Sequence, residues 1–232
     1  MKHLSRKLIN RNKRAVPLIA HQNPKLPITE QYRLIRTNIQ FSSIDKEMKS
    51  IVITSAEPSE GKSTTAANLA IVIAQQGKPV LLVDTDLRKP TVHYAFNASN
   101  MDGLTCVLTK KMSLDEAIVK TFVPNLSILT SGSLPPNPSE LLASNAMETV
   151  LNELKQKFDY IIFDTPPILA VADAQILANK CDGVVMVVAS GKTHKDRVIK
   201  AKELLEKAKA KLLGVVLNGV ESKKKEYYHE YH

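Results

Sequence analysis

Short apolar segments rich in Val, Ile and Leu alternate with longer amphipathic segments along the chain. The apolar segments predict strands at residues 50–54, 80–84, 126–130, 160–164, 184–189 and 213–217. The amphipathic segments predict helices at residues 62–76, 114–120, 140–158 and 194–209, and an earlier helix from the N-cap Thr29 to about Phe41. Continuous apolar runs separated by helices are typical of parallel strands that are buried on both faces. The pattern therefore predicts an α/β fold with a doubly wound, mostly parallel sheet.

Local signals place several helix ends. Gly77 follows the predicted helix 62–76 and is expected to terminate it. The pairs Ser113 with Glu116 and Thr193 with Asp196 have the spacing of capping boxes, in which a hydroxyl and a carboxylate satisfy the first backbone N–H groups.

Length and composition are those of an ordinary globular chain. It has 232 residues, of which 44% are hydrophobic and 24% are charged, enough for one sizeable core. No run of 18 apolar residues occurs, which excludes a membrane-spanning helix, and the basic N-terminal segment lacks the apolar core of a secretory signal. Cys106 and Cys181 are isolated cysteines, so we expect a reducing, cytosolic environment.

The net charge of +9 is concentrated at the N-terminus. Lys2, Arg6, Lys7, Arg11, Lys13 and Arg14 contribute +6, which leaves +3 for residues 15–232. Such a segment can contact anionic lipid or can be a solvated terminus. No aromatic residues interleave with the basic ones, so no nucleic acid partner is expected. The predicted organisation is a basic tail at 1–28, one domain at 29–220 and a tyrosine-rich tail at 221–232.

The first predicted strand leads into a loop that ends in Gly-Lys-Ser and opens a helix, as a Walker A motif requires. Successive backbone N–H groups at a helix N-terminus can hold phosphate. Lys62 can reach the β- and γ-phosphates and the Ser63 hydroxyl can bind Mg²⁺. Ala56 stands where the first glycine of the motif is usual. The residues predicted to bind nucleotide here are Glu60, Gly61, Lys62, Ser63 and Thr64.

A second Gly-Lys-Thr tripeptide lies at residues 191–193. Only Ser190 separates it from the preceding predicted strand, too short a loop to wrap a phosphate. We therefore do not expect this copy to bind nucleotide.

Carboxylates follow two other predicted strands. Asp164 ends one strand, and Asp84 and Asp86 follow another. Mg²⁺ prefers oxygen ligands, so three acids beside a phosphate loop predict a metal site formed by Ser63, Asp86 and Asp164. The metal does not require the carboxylates of both Asp84 and Asp86, so either one can serve as the base that accepts a proton from a hydroxyl group. Lys62, Asp84, Asp86 and Asp164 are the predicted catalytic residues.

These motifs together resemble the bacterial tyrosine kinases. The resemblance is carried by the Walker A loop, by the acidic motif Leu82-Val-Asp-Thr-Asp-Leu-Arg-Lys-Pro90 and by Phe163-Asp-Thr-Pro-Pro167. It is narrower with the stand-alone cytoplasmic kinases of Gram-positive capsule and exopolysaccharide synthesis. The resemblance implies a P-loop NTPase fold, ATP and Mg²⁺ as cofactors, and autophosphorylation between protomers. It also implies a separate membrane-embedded activator, a cognate tyrosine phosphatase, protein substrates of polysaccharide synthesis, and a location at the inner face of the plasma membrane.

Two further features fit that family. Glu30, Arg33 and Arg36 are spaced to share one helix face, which is either a solvated surface or, as the resemblance implies, a motif that joins protomers into a ring. Three of the six tyrosines lie in the last six residues. The resemblance makes Tyr227, Tyr228 and Tyr231 phospho-acceptors, and the alternative is a partner-binding tail.

Two other classes of function use similar motifs. Spatial-organiser ATPases have a signature lysine five residues before the Walker lysine, and Glu57 occupies that position here. A nucleotide-sensing scaffold would keep the ring motif without needing Asp84. Asn218, at the end of the last predicted strand, is expected either to contact adenine or to form a turn.

Overall fold

The computed structural model describes residues 16–42 and 48–220, and within these ranges seven strands form one sheet. The strands are β1 (Ser50–Ser55), β2 (Val80–Asp84), β3 (Val119–Lys120), β4 (Leu126–Leu129), β5 (Tyr160–Asp164), β6 (Gly183–Ala189) and β7 (Leu212–Asn218). Their order is β3-β4-β2-β5-β1-β6-β7, and every neighbouring pair is parallel except β3 with β4. The predicted fold class is confirmed.

Ten helices accompany the strands within the same ranges. They are α1 (Ile19–Gln22), α2 (Pro27–Phe41), α3 (Lys62–Ala74), α4 (Val92–Ala95), α5 (Leu104–Leu108), α6 (Leu114–Ala117), α7 (Pro138–Ala143), α8 (Asn145–Lys157), α9 (Asp173–Lys180) and α10 (Lys195–Lys207). Inside the described part of the chain, no helix combines the length and apolar character needed to cross a bilayer.

The sheet separates two apolar cores. In β1 the side chain of Val52 packs into one core, and those of Ile51 and Ile53 pack into the other, as the alternation of a strand requires. Helix α3 is buried from Thr65 to Ala74 because it lies between the sheet and the N-terminal helices. Asn68 fixes this packing, since its side chain bonds to the backbone of Pro17, Ala20 and Thr64 at 2.8 Å each. The N-terminal helices thus support the helix that follows the Walker loop.

Several predicted boundaries are confirmed. The strands at 80–84 and 160–164 have the predicted bounds, and the other four match to within one residue at each end. Gly77 follows α3 with φ of +81°, and the Ser113–Glu116 capping box is present.

Other boundaries were wrong for identifiable reasons. Helix α2 starts at Pro27 rather than after Thr29, because proline is favoured at the first helical position, and the Thr29 hydroxyl instead donates to Asn23 O. The helix predicted at 140–158 is interrupted at Ser144, whose side chain caps the start of α8. Residues 119–120 form β3 rather than the end of a helix. Thr193 caps nothing, and its hydroxyl bonds to Glu60.

Candidate active site

The loop between β1 and α3 has the backbone conformation that a phosphate-binding loop needs. Gly61 precedes α3 with φ of +94°, and Ser59 also has a positive φ of 65°. A Cβ at residue 61 would collide with the side-chain amide of Asn218, so glycine is required there for both backbone and space. In the described part of the chain no side chain caps α3. Its first turn therefore presents backbone N–H groups that suit an anion.

Two glutamates hold this loop against the segment that follows β6 and against the last residue of β7. Glu60 is 3% exposed, and its carboxylate accepts hydrogen bonds from Glu57 N at 2.8 Å and from the Thr193 hydroxyl. The Glu57 carboxylate pairs with Arg197 Nε at 2.8 Å. Asn218 Nδ2 donates to Glu60 O at 2.9 Å. We call the side-chain contacts Glu60–Thr193 and Glu57–Arg197 the P-loop latch.

The latch gives the second Gly-Lys-Thr tripeptide a structural role. Thr193, its last residue, also accepts a hydrogen bond from Ala189 N, which ties it to the end of β6. Sequence reasoning excluded this tripeptide as a phosphate loop but did not find its contact with the loop that carries Lys62. A contact between residues 133 positions apart leaves no local signal in the sequence.

The predicted acidic residues converge on the Walker lysine. Asp84 and Asp164 end the neighbouring strands β2 and β5 and are register partners. Both side chains are fully buried. Lys62 Nζ lies 3.4 Å from Asp86 Oδ2 and 3.3 Å from Ser63 Oγ. The structure therefore brings together the four residues predicted to be catalytic.

Backbone N–H groups of the loop after β2 orient two of these carboxylates. Asp84 Oδ2 accepts from Thr91 N and Val92 N at 2.9 Å each, and Asp84 Oδ1 accepts from Asp86 N at 3.2 Å. Asp86 Oδ1 accepts from Lys89 N at 2.9 Å, which leaves its Oδ2 beside Lys62. The loop is thus wrapped around the two acids.

Asp164 differs because neither of its buried carboxylate oxygens accepts a hydrogen bond of ordinary geometry from the described residues, although the Ser63 and Thr91 hydroxyls lie close enough to favour its charged form. Unpaired buried oxygens are costly, and they fit a site that receives a cation or its water shell. No three His, Cys, Asp or Glu side chains within 16–42 and 48–220 are arranged to hold a metal alone. A metal at Asp164 would therefore need a hydroxyl, phosphate or water as further ligands.

Burial and mutual repulsion change the proton affinities of this cluster. Burial, reinforced by Asp164, raises the pKa of Asp84 to about 7 despite the bonds from Val92 and Thr91. Burial also raises the pKa of Asp164, although Lys62 and Ser63 oppose the shift. Burial alone would lower the pKa of Lys62, but the surrounding carboxylates raise it. Burial thus makes both buried acids easier to protonate, whereas the neighbouring carboxylates favour the charged form of Lys62.

An ion pair between an exposed arginine and a buried carboxylate, which sequence reasoning missed, supports the loop after β2. Asp173, at the start of α9, is fully buried, and its carboxylate contacts Arg88 Nε at 3.2 Å. The same carboxylate accepts from the Ser139 hydroxyl. Arg88 stands in the acidic motif, but nothing in the sequence indicated that its partner lies 85 residues away.

The predicted oligomerisation residues lie on α2, away from the acidic cluster. Arg33 pairs with Glu30 on the same helix and donates to Pro24 O at 3.1 Å. Arg36 Nη1 donates to Val72 O at 2.9 Å and so reaches α3. Their role in oligomerisation stays a prediction. Tyr227, Tyr228 and Tyr231, like the basic residues 2–14, lie outside the described residues.

A parallel sheet with Gly61-Lys62-Ser63 at the start of α3 and acids at the ends of β2 and β5 defines a P-loop NTPase, a class that binds nucleotides. The family model described as an AAA domain matches residues 48–212. The chain is 58% identical to the tyrosine-protein kinase YwqD of Bacillus subtilis over 90% of this chain and 89% of that one. It is 45% identical to the tyrosine-protein kinase CpsD of Streptococcus agalactiae over 83% of each. The chain belongs to the bacterial tyrosine-protein kinase family.

Solved structures agree with this assignment. The chimerical protein CapA2B2 superposes with a TM-score of 0.86 at 48% identity, covering 88% of this chain and 90% of that one. The kinase domain of Escherichia coli tyrosine kinase ETK also gives 0.86, at 34% identity over 93% and 84%. The septum site-determining protein MinD of Pyrococcus horikoshii, complexed with Mg-ADP, gives 0.62 at 26% identity over 73% and 69%. The comparisons favour the kinase over the spatial-organiser ATPase.

Proposed function

We propose that this tyrosine kinase uses Mg·ATP to phosphorylate Tyr227, Tyr228 and Tyr231 of its own tail, between protomers, and so regulates capsular or exopolysaccharide synthesis. The observation that carries the proposal is the buried pair Asp84 and Asp164, held in register beside Lys62. Two buried acids and a lysine at a phosphate loop match what phosphoryl transfer requires, since that reaction depends mainly on positioning and electrostatics.

The residues present fit a nucleotide with a divalent cation. The first turn of α3 and Lys62 would hold the phosphates, and Glu60, Gly61 and Thr64 would shape the site around them. Asn218, which bonds to Glu60 O, is the proposed contact for adenine. Ser63, Asp86 and Asp164 would hold Mg²⁺, with the unpartnered oxygens of Asp164 as the best-supported ligands. When bound, Mg²⁺ neutralises phosphate charge and orients the transferred group.

Asp84 is the proposed base. The tyrosine Oη attacks the γ-phosphorus, the bond to the β–γ bridging oxygen breaks, and ADP leaves with that electron pair. The tyrosine proton passes to the Asp84 carboxylate, whose raised pKa makes it a better acceptor than an ordinary aspartate. Lys62 stabilises the charge that develops on the transferring and leaving oxygens. The backbone bonds from Thr91 and Val92 fix the base in place.

The family relationship supplies the proposed partners. Glu30, Arg33 and Arg36 would join protomers into a ring, and a membrane-embedded activator would hold the kinase at the inner face of the plasma membrane. One matched structure is a chimerical protein named CapA2B2, which supports such an activator. A cognate tyrosine phosphatase and protein substrates of polysaccharide synthesis complete the proposal.

Mass spectrometry after incubation with Mg·ATP tests the catalytic part. We expect phosphate on the tail tyrosines of the wild-type protein and none on Lys62→Met. Lys192→Met is the matched control, because it removes the exposed lysine of the second Gly-Lys-Thr tripeptide, and it should be phosphorylated like the wild type. ATP hydrolysis without phosphotyrosine would instead indicate an organiser ATPase.

Size measurement in dilute solution tests the ring. Arg33→Ala with Arg36→Ala should give smaller particles and less tail phosphorylation than the wild type. Lys202→Ala removes an exposed cation on α10 and should change neither quantity. Unchanged particle size in the double variant would show that Glu30, Arg33 and Arg36 form only a solvated helix face.

A further inference from the structure

A cleft of about 650 Å³ lies beside the acidic cluster, between the loop after β2 and the segment after β4. Its lining includes Lys89, Thr91, His93, Tyr94 and Leu134. Its volume is within the range of sites that hold small ligands. Thr91 N donates to Asp84, so the cleft adjoins the proposed base. A group bound in the cleft would lie next to the residue that accepts the tyrosine proton.

The lining is positively charged. It contains Arg88 and Lys89 but no Asp or Glu. Arg88 is already paired with Asp173, whereas the exposed Lys89 ammonium makes no ion pair with any residue in the described ranges. The backbone of Lys89 is fixed by its bond to Asp86 Oδ1. Lys89 is thus a cation held at the edge of the site and available to an acidic ligand.

One buried polar atom in the lining lacks a partner. His93 Nδ1 makes no hydrogen bond within the part of the chain that the structure describes, whereas the Thr91 hydroxyl lies towards Asp164. Most buried polar atoms in proteins are paired, so the imidazole nitrogen fits a site that receives a ligand or water. Burial lowers the pKa of His93 and so favours the neutral imidazole. The ring lies against Tyr94, with centroids 3.9 Å apart, and Leu134 is 63% exposed at the rim. Aromatic and apolar surface beside a cation suits an aromatic residue with an acidic neighbour.

We propose that the cleft recognises a glutamate followed directly by the acceptor tyrosine, with the glutamate paired to Lys89 and the tyrosine ring against His93 and Leu134. The occupant is the tail of a second copy of this chain, so the inference rests on the proposed function. The tail contains this pair twice, as Glu226-Tyr227 and Glu230-Tyr231, whereas Tyr228 follows another tyrosine. Tyr227 and Tyr231 are therefore the preferred acceptors, and Tyr228 is the slow one.

The test uses the full-length chain with Tyr227, Tyr228 and Tyr231 replaced by Phe, so that it cannot label its own tail. Its substrates are synthetic peptides of residues 221–232 in which Tyr231 is the only tyrosine, with either Glu or Gln at position 230. We expect the Glu230→Gln peptide to have a kcat/KM about two- to fivefold lower, the range of an exposed ion pair. Lys89→Ala in the enzyme should cause the same fall with the Glu peptide and no further fall with the Gln peptide. Added salt should reduce the difference.

Lys78→Ala is the matched control, because it removes an exposed lysine just before β2, at the opposite end of that strand. It should leave both peptides unaffected. Equal rates for the two peptides, or a fall with Lys89→Ala that is the same for both, would overturn the recognition proposal. Phosphotyrosine missing from the wild-type chain after incubation with Mg·ATP would overturn the proposed function itself, a distinguishable result.

Discussion

Removing the Thr193 hydroxyl tests whether the P-loop latch holds the nucleotide loop. Thr193→Val keeps the size and branching of the side chain but deletes the donor to Glu60. Glu60 is 3% exposed as a residue, so water cannot readily replace the lost bond. In the variant, the Glu60 carboxylate would still accept the hydrogen bond from Glu57 N at 2.8 Å. The change therefore removes one of the two side-chain contacts of the latch.

The expected cost follows from that geometry. A hydrogen bond to a charged group contributes about 1.5–3 kcal/mol, and the burial of Glu60 places this one inside that range rather than below it. For a chain of this size the loss corresponds to a fall in Tm of about 3–12 °C. The loop would also lose part of its pre-organisation, so the dissociation constant of Mg·ADP should rise. Each ~1.4 kcal/mol needed to reorder the loop on binding corresponds to a tenfold rise.

Urea unfolding followed by circular dichroism measures the first effect, since the chain contains no Trp for fluorescence. Thr193→Ser keeps the hydroxyl and should recover most of the stability. Thr149→Val is the matched control, because its hydroxyl donates only to Asn145 O on an exposed helix face, and it should stay within about 0.5 kcal/mol of the wild type. A Thr193→Val protein as stable as Thr149→Val would refute the latch.

Three further changes test the acids of the site. Asp173→Ala should lower the free energy of unfolding by about 1.5–3 kcal/mol, because it leaves Arg88 and Ser139 without their buried partner. It should also lower kinase activity, because the loop after β2 loses a support. Unchanged stability in urea would contradict this prediction. Asp164→Asn should abolish tail phosphorylation. It should nevertheless stabilise the nucleotide-free protein by about 0.5–2 kcal/mol, because burial raises the pKa of this acid and disfavours its charged form. A lower Tm for the variant in thermal unfolding would contradict this prediction. Because the pKa of Asp84 is raised, the folded protein binds a proton at this carboxyl more tightly than the unfolded chain does. Without nucleotide or metal, the stability that protonated Asp84 contributes is therefore complete below pH ~4 and is lost as the pH rises towards about 7. Unfolding free energies measured across that range should therefore show a steeper fall with pH for the wild type than for Asp84→Asn.

The acidic cluster could be predicted because each of its parts is a local signal. The strands that carry Asp84 and Asp164 were recognisable from their apolar residues, and in a parallel sheet the carboxyl ends of strands meet at one edge. The Gly-Lys-Ser sequence placed Lys62 at the start of a helix. Both features depend only on short segments and on the fold class. The sequence alone therefore predicts that these side chains lie close together.

The supporting contacts could not be predicted because they join loops that are distant in the sequence. Glu60 meets Thr193 and Arg88 meets Asp173 only after the sheet has assembled, and the residue types alone allow many other partners. The break at Ser144 was missed for a different reason. Residues 140–158 carry one helical pattern, and the serine that divides them is as compatible with an exposed helix position as with a cap.

The latch also bears on why this site differs from that of an organiser ATPase. The residue five positions before the Walker lysine is Glu57, and its carboxylate is bound within the same chain by Arg197 at 2.8 Å. Glu57 carries the opposite charge to the signature lysine and is paired with Arg197, so it does not offer a cation to a phosphate. We therefore expect a second copy to contribute to this site through another segment. The cleft beside Asp84, with its available Lys89 and the unpartnered Nδ1 of His93, is where the structure has room for such a segment. Assembly of protomers would then serve to deliver the acceptor tyrosine rather than to complete the nucleotide site.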